Sequence, residues 1–341
     1  MAAPPLPGDG PADEVLKALF ASLDQASHIV AAVSGGPDSI ALMHLLARWT
    51  AAGERAPILV ATVDHGLRPE SAEEAAFVAR EAASLGLAHR VLAWTGEKPR
   101  TRIQEAAREA RYRLLVQCAR EEGASHLVTA HTRDDQAETV LMRLARGSGL
   151  TGLSGMRRDR DRDGLRHVRP LLDWPKEALL DLCRTQGWRF VRDPSNADER
   201  FARVRWRGIM PLLAAEGLTA ERLVRFSERM RRADEALEAK ALQALERAQP
   251  VVAHDGLSFY AGLLAEEPFE IALRVLDLAL SRAGSSLENS RLQRLEACAE
   301  RLRQAIRNGA ALRLTLAGAL IRLDRSGRLA IRPEPARRRG R

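Results

Sequence analysis

The most constraining feature of this 341-residue chain is a regular alternation of short apolar runs with helical patterns in its first half. The apolar, β-prone runs are residues 28–33, 57–63, 90–94 and 126–130, and the helical patterns are residues 38–49, 71–85, 103–121 and 134–146. Strands separated by helices of this length predict βαβ units and a parallel sheet with helices on both faces. Such sheets bind ligands at the carboxyl ends of their strands, so we expect the site in the loops after Val33, Val63 and Ala130.

The pattern changes near residue 215, beyond which the chain is mostly helical. A β-hairpin is predicted at residues 311–331, around the turn Asp324-Arg325-Ser326-Gly327. We therefore predict an α/β fold with a flexible arm at 1–12, a parallel-sheet domain at 13–215, a smaller, mostly helical C-terminal domain at 216–335 and a basic tail at 336–341. The tail either contacts RNA or only favours solubility.

Charge favours a polyanionic partner. The formal net charge is +8, and 16 basic residues stand against 10 acidic ones between Lys98 and Pro170. A local surplus of this kind predicts a nucleic-acid-binding face. Apolar runs are too short to span a membrane, and no secretory signal is visible at the N-terminus. We expect a cytoplasmic protein with no membrane partner.

The three cysteines, Cys118, Cys183 and Cys298, are widely spaced and form no CxxC pair. This spacing predicts neither a disulfide framework nor an iron–sulfur cluster. It is consistent with a reducing compartment.

The hexapeptide Ser34-Gly35-Gly36-Pro37-Asp38-Ser39 lies between the first predicted strand and the first long helix. Its glycines allow close backbone approach to a phosphate, and the helix directs its amide groups at the anion. Ser34 and Ser39 add hydroxyl donors, and Asp38 is placed to hold Mg²⁺ that bridges a pyrophosphate. The alternative is a plain strand–turn–helix connection with Asp38 near the N-cap.

The loop after the second predicted strand contains His65, Gly66 and Arg68. Gly66 lets the chain turn, while His65 and Arg68 present hydrogen-bond donors over the site. The alternative for His65 is a loop histidine with no ligand.

The segment His131–Thr139 follows the fourth predicted strand and carries three acids. Asp135 and Glu138 are three residues apart, so a helix places both carboxylates on one face. A paired-carboxylate face suits an ammonium group or a metal ion. The simpler alternative is that these acids only stabilise the first turn of the helix by interacting with its dipole. That alternative does not explain His131.

Three arginines, Arg203, Arg205 and Arg207, alternate around Trp206 and follow the segment Arg192–Asn196. Guanidinium groups clamp phosphates, and an indole can stack on a base. The alternative is a solvated basic strand or helix end.

The SGGPDS loop at Ser34–Ser39 resembles the PP-loop of enzymes that split ATP into AMP and pyrophosphate. The HxxDDxxET pattern at His131–Thr139 resembles the lysidine synthetases of that group and their thiocytidine relatives. The AAREARY run at Ala106–Tyr112 and the DPSN segment at Asp193–Asn196 are similar to the lysidine synthetases. Val204 stands where those enzymes usually have asparagine. The resemblance covers residues 28–215, with the motifs in the expected order.

The resemblance implies a PP-loop fold, ATP and Mg²⁺ as cofactors, and lysine and a CAU-anticodon tRNA-Ile as partners. It implies catalytic roles for Asp38, His131, Asp135 and Glu138, the last two binding lysine. The implied tRNA contacts are His65, Arg68, Arg111, Arg203, Arg205 and Arg207. The rivals are a tRNA thiocytidine synthetase, an ammonia-using PP-loop ligase and a non-catalytic RNA-binding protein. The sequence leaves the oligomeric state open, a homodimer included.

Overall fold

The structure is a computed structural model that describes residues 11–53, 55–67, 70–99, 101, 103–192, 202–254, 256–285 and 292–334. The predicted tRNA contact Arg68, the DPSN segment, the first ten residues of the predicted arm and the basic tail lie outside the described residues. By its contacts the chain forms two compact units, residues 1–147 with 155–227 and residues 148–154 with 228–341.

The first unit contains a parallel sheet that carries the predicted motifs at its strand ends. Its elements are α1 (Asp13–Phe20), β1 (Ile29–Ala32), α2 (Pro37–Ala51), β2 (Ile58–Asp64), α3 (Ser71–Ser84), β3 (Ala88–Ala93), α4 (Ile103–Glu121), β4 (His126–Thr129), α5 (Arg133–Leu144), β5 (Asp159–Arg162), β6 (Leu165–Val168), α7 (Lys176–Thr185) and α8 (Ala202–Ala215). In the described residues the sheet has six strands in the order β3-β2-β1-β4-β6-β5. β5 alone pairs antiparallel, with β6.

Side-chain alternation along the central strands packs helices on both faces of this sheet. Ile29 and Ala31 of β1 face a core shared with α1, α2, α3 and α7. Val30 and Ala32 face a second core, to which α4 contributes Tyr112 and its neighbours. Both faces are therefore covered, as parallel sheets require, and the strand ends are left for the site.

The second unit packs helices against an antiparallel sheet. Its elements are α6 (Leu150–Leu153), β7 (Val251–Ala253), β8 (Gly256–Tyr260), α10 (Leu263–Glu266), α11 (Phe269–Arg282), α12 (Leu292–Arg307), β9 (Leu312–Leu316), β10 (Ala319–Leu323) and β11 (Arg328–Pro333). The strand order in the described residues is β7-β8-β11-β10-β9. The helix α9 (Ala220–Arg247) contributes to both units. The division therefore falls within a continuous helix, beyond the predicted boundary at residue 215.

The α/β fold class, with its PP-loop domain and helical C-terminal region, is confirmed. The predicted hairpin exists as β10–β11, closed at Asp324–Gly327, and β9 extends it. Strands β7 and β8 were not expected from the sequence. Among the described residues, no helix combines the length and apolar character needed to cross a membrane.

Candidate active site

The loop Ser34–Ser39 connects β1 to α2 and is closed by its own hydrogen bonds. Gly35 adopts a φ of +87°, which favours glycine, and its carbonyl accepts the Val191 amide at 2.8 Å. Ser39 Oγ donates to the Gly36 carbonyl at 2.9 Å and accepts the Ser34 amide at 3.2 Å. The resulting turn leaves Ser34 exposed at the N-terminus of α2, a shape and polarity that suit a phosphate group.

Helix α5 begins with a capping box between Thr132 and Asp135. The Asp135 amide donates to Thr132 Oγ1 at 3.4 Å, while Asp135 Oδ2 accepts from the Thr132 amide at 3.0 Å and from its hydroxyl at 3.1 Å. The cap therefore occupies Oδ2. The other oxygen, Oδ1, lies 3.8 Å from Arg207 Nη2. Because Oδ2 is used by the cap, Oδ1 is the oxygen through which Asp135 can bind a ligand.

Glu138 lies one helical turn beyond Asp135 and is only 3% exposed. Its Oε1 accepts a 2.6 Å hydrogen bond from Arg207 Nε, whereas Oε2 is buried without a partner among the described residues. Burial raises the pKa of Glu138, although the Arg207 guanidinium opposes the rise. The structure brings the two predicted carboxylates together on one guanidinium and leaves one oxygen of Glu138 free to accept a proton.

Lys176, the first residue of α7, links the loop Ser34–Ser39, called the phosphate loop below, to helix α5. Its Nζ lies 3.3 Å from Asp38 Oδ2, and its backbone amide donates to Asp134 Oδ2 at 2.7 Å. Burial raises the pKa of the Asp38 carboxyl group, and the Lys176 charge lowers it. Two motifs about a hundred residues apart in sequence therefore meet at one lysine.

The residues at Asp38 fit a magnesium ion that arrives with ATP. No group of three His, Cys, Asp or Glu side chains in the described part of the chain could hold a metal on its own. Mg²⁺ needs only one or two protein carboxylates when phosphates and water complete its shell. Asp38 Oδ1 is buried and has no hydrogen-bond partner in the described residues, so it can serve as that ligand.

A chain of hydrogen bonds fixes the tautomer of His131. Arg169 Nη2 lies 3.1 Å from His167 Nδ1, so His167 Nδ1 must accept and its Nε2–H donates to Thr129 Oγ1 at 2.9 Å. The Thr129 hydroxyl then donates to His131 Nδ1 at 2.8 Å. Burial, then Arg169, lowers the pKa of His167 to about 2, and the same causes hold the pKa of His131 well below its usual value. His131 is therefore a neutral ring that presents Nε2–H as a donor.

Arginine side chains surround this histidine. After burial, the pKa of His131 is lowered by the charges of Arg169, Arg111, Arg108 and Arg203. Burial, then Arg111, also lowers the pKa of His65. The structure thus brings together four predicted residues, His65, Arg111, His131 and Arg203, at one edge of the sheet.

The three alternating arginines lie on helix α8 rather than on a strand. Residues two apart in a helix point to nearly opposite sides, so Arg205 does not share a face with Arg203 and Arg207. Arg205 is exposed. The ion pairs of Arg207 are with Glu138 and Asp135, and its tRNA contact stays a prediction.

Sequence reasoning missed four residues that shape the site: Thr129, His167, Arg169 and Lys176. Each acts on a predicted residue from a distant part of the chain, so no local spacing indicates it. A weak signal was available for Arg169, which belongs to the Arg169-Pro170-Leu171-Leu172 segment that resembles the lysidine synthetases.

Comparisons with known proteins identify the family of the chain. Residues 11–213 match the family model described as a PP-loop domain. A tRNA(Ile)-lysidine synthase of Methylobacterium nodulans is 56% identical over 318 residues, which cover 92% of this chain and 93% of that protein. A tRNA(Ile)-lysidine synthase of Bradyrhizobium diazoefficiens is 49% identical over 342 residues, covering 95% and 94%.

One solved structure shares the fold at low identity. A U34-tRNA thiolase from Methanococcus maripaludis with its [4Fe-4S] cluster aligns with a TM-score of 0.55 and 18% identity, covering 64% of this chain and 78% of that one. This likeness shows the fold alone. The family follows from the two synthases, which match over nearly their whole length. The chain belongs to the tRNA(Ile)-lysidine synthase family of PP-loop proteins.

Proposed function

We propose that this protein joins lysine to C2 of the wobble cytidine in a CAU-anticodon tRNA-Ile, forming lysidine and changing codon reading from AUG to AUA. It consumes ATP and releases pyrophosphate and AMP, and it acts in the cytoplasm. The observation that carries the proposal is the contact of Lys176 with both Asp38 and Asp134, which joins a phosphate loop to an acidic helix. The names of the relatives do not favour the thiocytidine synthetase rival.

In the first step the cytidine O2 attacks the α-phosphorus of ATP, and the bond to the bridging oxygen of the β-phosphate breaks. The phosphates bind at the N-terminus of α2, where backbone amides have no capping side chain, and the internal bonds of Ser34 and Ser39 keep the loop Ser34–Ser39 in shape. Asp38 would hold Mg²⁺, which neutralises phosphate charge when bound. His131 donates from Nε2 to an oxygen that gains negative charge, and it cannot act as a base while Nδ1 accepts from Thr129.

In the second step the lysine ε-amine attacks C2 of the adenylated base, and AMP leaves. The amine arrives as an ammonium group and must lose a proton before it can attack. Asp135 Oδ1 and Glu138 Oε2 are the carboxylate oxygens available to recognise it, and the raised pKa of Glu138 suits it as the proton acceptor. Arg207 holds Glu138 in place through Oε1.

The tRNA is proposed to contact both units. In the first unit the contacts are His65, Arg68, Arg111 and the arginines of α8. In the second unit, Arg313 of β9 lies directly opposite Arg322 of β10 on the outer sheet face, where Arg328 of β11 also stands. Like charges paired across strands destabilise a sheet unless an anion covers them, and a phosphate backbone supplies that anion.

The first step can be tested through Asp38. Asp38→Ala should reduce tRNA-dependent pyrophosphate release at least about 100-fold, because the ligand for the phosphate-bound ion is lost. Fluorescence anisotropy should show unchanged tRNA affinity. Asp181→Ala, an exposed α7 carboxylate paired with Arg184, is the matched control and should behave as wild type. Normal pyrophosphate release by Asp38→Ala would remove the basis of the proposed first step.

A further inference from the structure

Lys176 has a backbone position that is fixed on two sides. Leu179, Leu182 and Cys183 of α7 are buried in the same core as α2, and the Cys183 thiol donates to the Pro37 carbonyl at 3.5 Å. The Lys176 amide is bonded to Asp134 Oδ2 at 2.7 Å. The start of α7 is therefore held against the phosphate loop and the acidic helix at once.

The side chain of Lys176 is much freer than its backbone. It is 42% exposed, whereas the side chain of its partner Asp38 is 18% exposed. An ion pair with one exposed lysine contributes little to stability. The ammonium group sits on a flexible four-carbon stem, so it can leave Asp38 when another anion arrives.

A phosphate bound at this loop needs a nearby positive charge, which the Lys176 ammonium group can provide. The loop Ser34–Ser39 contains no basic side chain, and its serines bond to each other and to the Gly36 carbonyl. A phosphate at this loop therefore meets only neutral donors, chiefly the backbone amides at the N-terminus of α2. Asp38 is itself an anion and repels phosphate unless a cation covers it. A departing pyrophosphate gains negative charge as its bond to the α-phosphorus breaks, so a cation fixed near the loop stabilises the leaving group.

We propose that Lys176 binds the β- and γ-phosphates of ATP and stabilises the departing pyrophosphate. In the free protein its ammonium group covers Asp38, and on binding of magnesium and ATP it exchanges that carboxylate for phosphate oxygens. The inference rests on the proposed function for the identity of the leaving group. Lys176 is then a catalytic residue of the first step and has no part in lysine recognition.

Titration calorimetry with magnesium pyrophosphate tests the contact directly, since it needs neither tRNA nor lysine. Lys176→Met removes the charge and keeps the stem, and it should weaken pyrophosphate binding about 10- to 100-fold, the range of a lost charge-assisted hydrogen bond. Lys176→Arg should stay within about fivefold of wild type. Lys240→Met is the control, because Lys240 is 46% exposed and pairs with Glu267 at 3.6 Å, and it should leave binding unchanged.

Steady-state kinetics separates this role from a structural one. Lys176→Met should raise the ATP KM and the pyrophosphate inhibition constant together, lower kcat, and leave the lysine KM and the thermal midpoint near wild type. Unchanged pyrophosphate binding in Lys176→Met, with a midpoint shift like that of Lys240→Met, would overturn the proposal. Failure of the wild type to modify any tRNA, with pyrophosphate binding still dependent on Lys176, would instead reject the proposed function and retain the contact.

Discussion

Gly35 and Gly36 meet different requirements of the phosphate loop. Gly35 needs its positive φ of +87°, whereas Gly36 has an ordinary φ of −71° and a Cβ there would meet nothing closer than Ser34 Oγ at 3.9 Å. The free protein therefore has room for a side chain at Gly36. A bound phosphate would fill that space.

Gly36→Ala should fold with a loss of no more than about 1 kcal/mol, yet raise the ATP KM at least about tenfold. The reason is that the added methyl group keeps the phosphate from the backbone amides. Steady-state kinetics with varied ATP measures the effect, and chemical denaturation provides the stability control. An unchanged ATP KM would mean that phosphate does not approach the loop at Gly36.

Glu138→Gln separates the two steps of the reaction. The change keeps the volume and an acceptor but removes the charge that attracts the ammonium group, so the lysine KM should rise about 10- to 100-fold. Adenylation should survive, and AMP-linked tRNA should accumulate when lysine is limiting. Quenched reactions run on denaturing gels with α-labelled ATP measure the intermediate.

Glu177→Gln, on α7, is the control and should keep the wild-type lysine KM. A rise in the ATP KM that spares lysine would show that Glu138 serves the nucleotide and not the amine.

At the residue scale, the sequence indicated which acidic side chains lie at the strand ends better than it indicated which basic side chains contact them. Asp38, Asp135 and Glu138 could be predicted because each follows a strand whose end lies at the same sheet edge. The bonds of Arg207 to Glu138 and of Lys176 to Asp38 could not, because they join residues far apart in sequence. The free oxygens of Asp38 and Glu138 follow only from burial.

At the scale of elements, helix α8 presents two predicted RNA contacts toward the site, of which Arg207 is paired with Glu138 and Asp135. Arg203 lies near His131 and adds to the cationic edge. Arg203→Gln should weaken tRNA binding and reduce the slope of log affinity against log salt by about one, because one phosphate contact is lost. Anisotropy titrations at several salt concentrations give the slope.

Arg225→Gln is the matched control on helix α9, since Arg225 is exposed and pairs with Glu221 within its own helix. It should keep the wild-type slope. Equal slopes for Arg203→Gln and wild type would place the RNA-binding face away from this part of α8.

Helix α2 carries a buried histidine that makes the fold sensitive to acid. His44 stacks on Trp188 with ring centroids 4.2 Å apart, and burial lowers its pKa to about 4. The folded state therefore binds fewer protons than the unfolded state below pH 6.5, so stability is lost as pH falls from 6.5 to 4, by up to about 3 kcal/mol.

His44→Phe keeps a ring against Trp188 and cannot be protonated. Denaturant unfolding at pH 7.5 and pH 4.5 measures how much free energy of unfolding each protein loses in acid. This loss should be smaller in His44→Phe than in wild type by about 2 kcal/mol. His254→Phe, at an exposed position, should retain the wild-type dependence. Identical acid losses in His44→Phe and wild type would show that His44 is not held neutral.

Strands β1 to β4 and helices α2 to α5 of the first unit could be predicted because their apolar periodicities are strong and alternate, whereas β5 and β6 were not predicted. Strands β7 and β8 were missed for a physical reason. All three β7 residues are exposed, so the strand has no buried face, and β8 buries only Leu257 and Phe259. Strand β7 pairs with β8, and β8 pairs in turn with β11, about seventy residues further along the chain.

At the scale of the whole molecule, the candidate site lies in the first unit, and the second unit has a basic sheet face. The chain covers 93% and 94% of the two synthases reported above, so its two units correspond to nearly the full length of those proteins. We predict that the first unit modifies the nucleobase and that the second unit adds to the affinity for tRNA.

The most direct measurement is transfer of labelled lysine to RNA. The protein would be incubated with magnesium, ATP, labelled lysine and a panel of tRNA transcripts, followed by nuclease digestion and mass analysis of the labelled nucleoside. We predict label on the CAU-anticodon tRNA-Ile alone, at its wobble cytidine, with none when ATP is omitted. Absence of label on that tRNA, from protein that is folded and binds ATP, would contradict the proposed function.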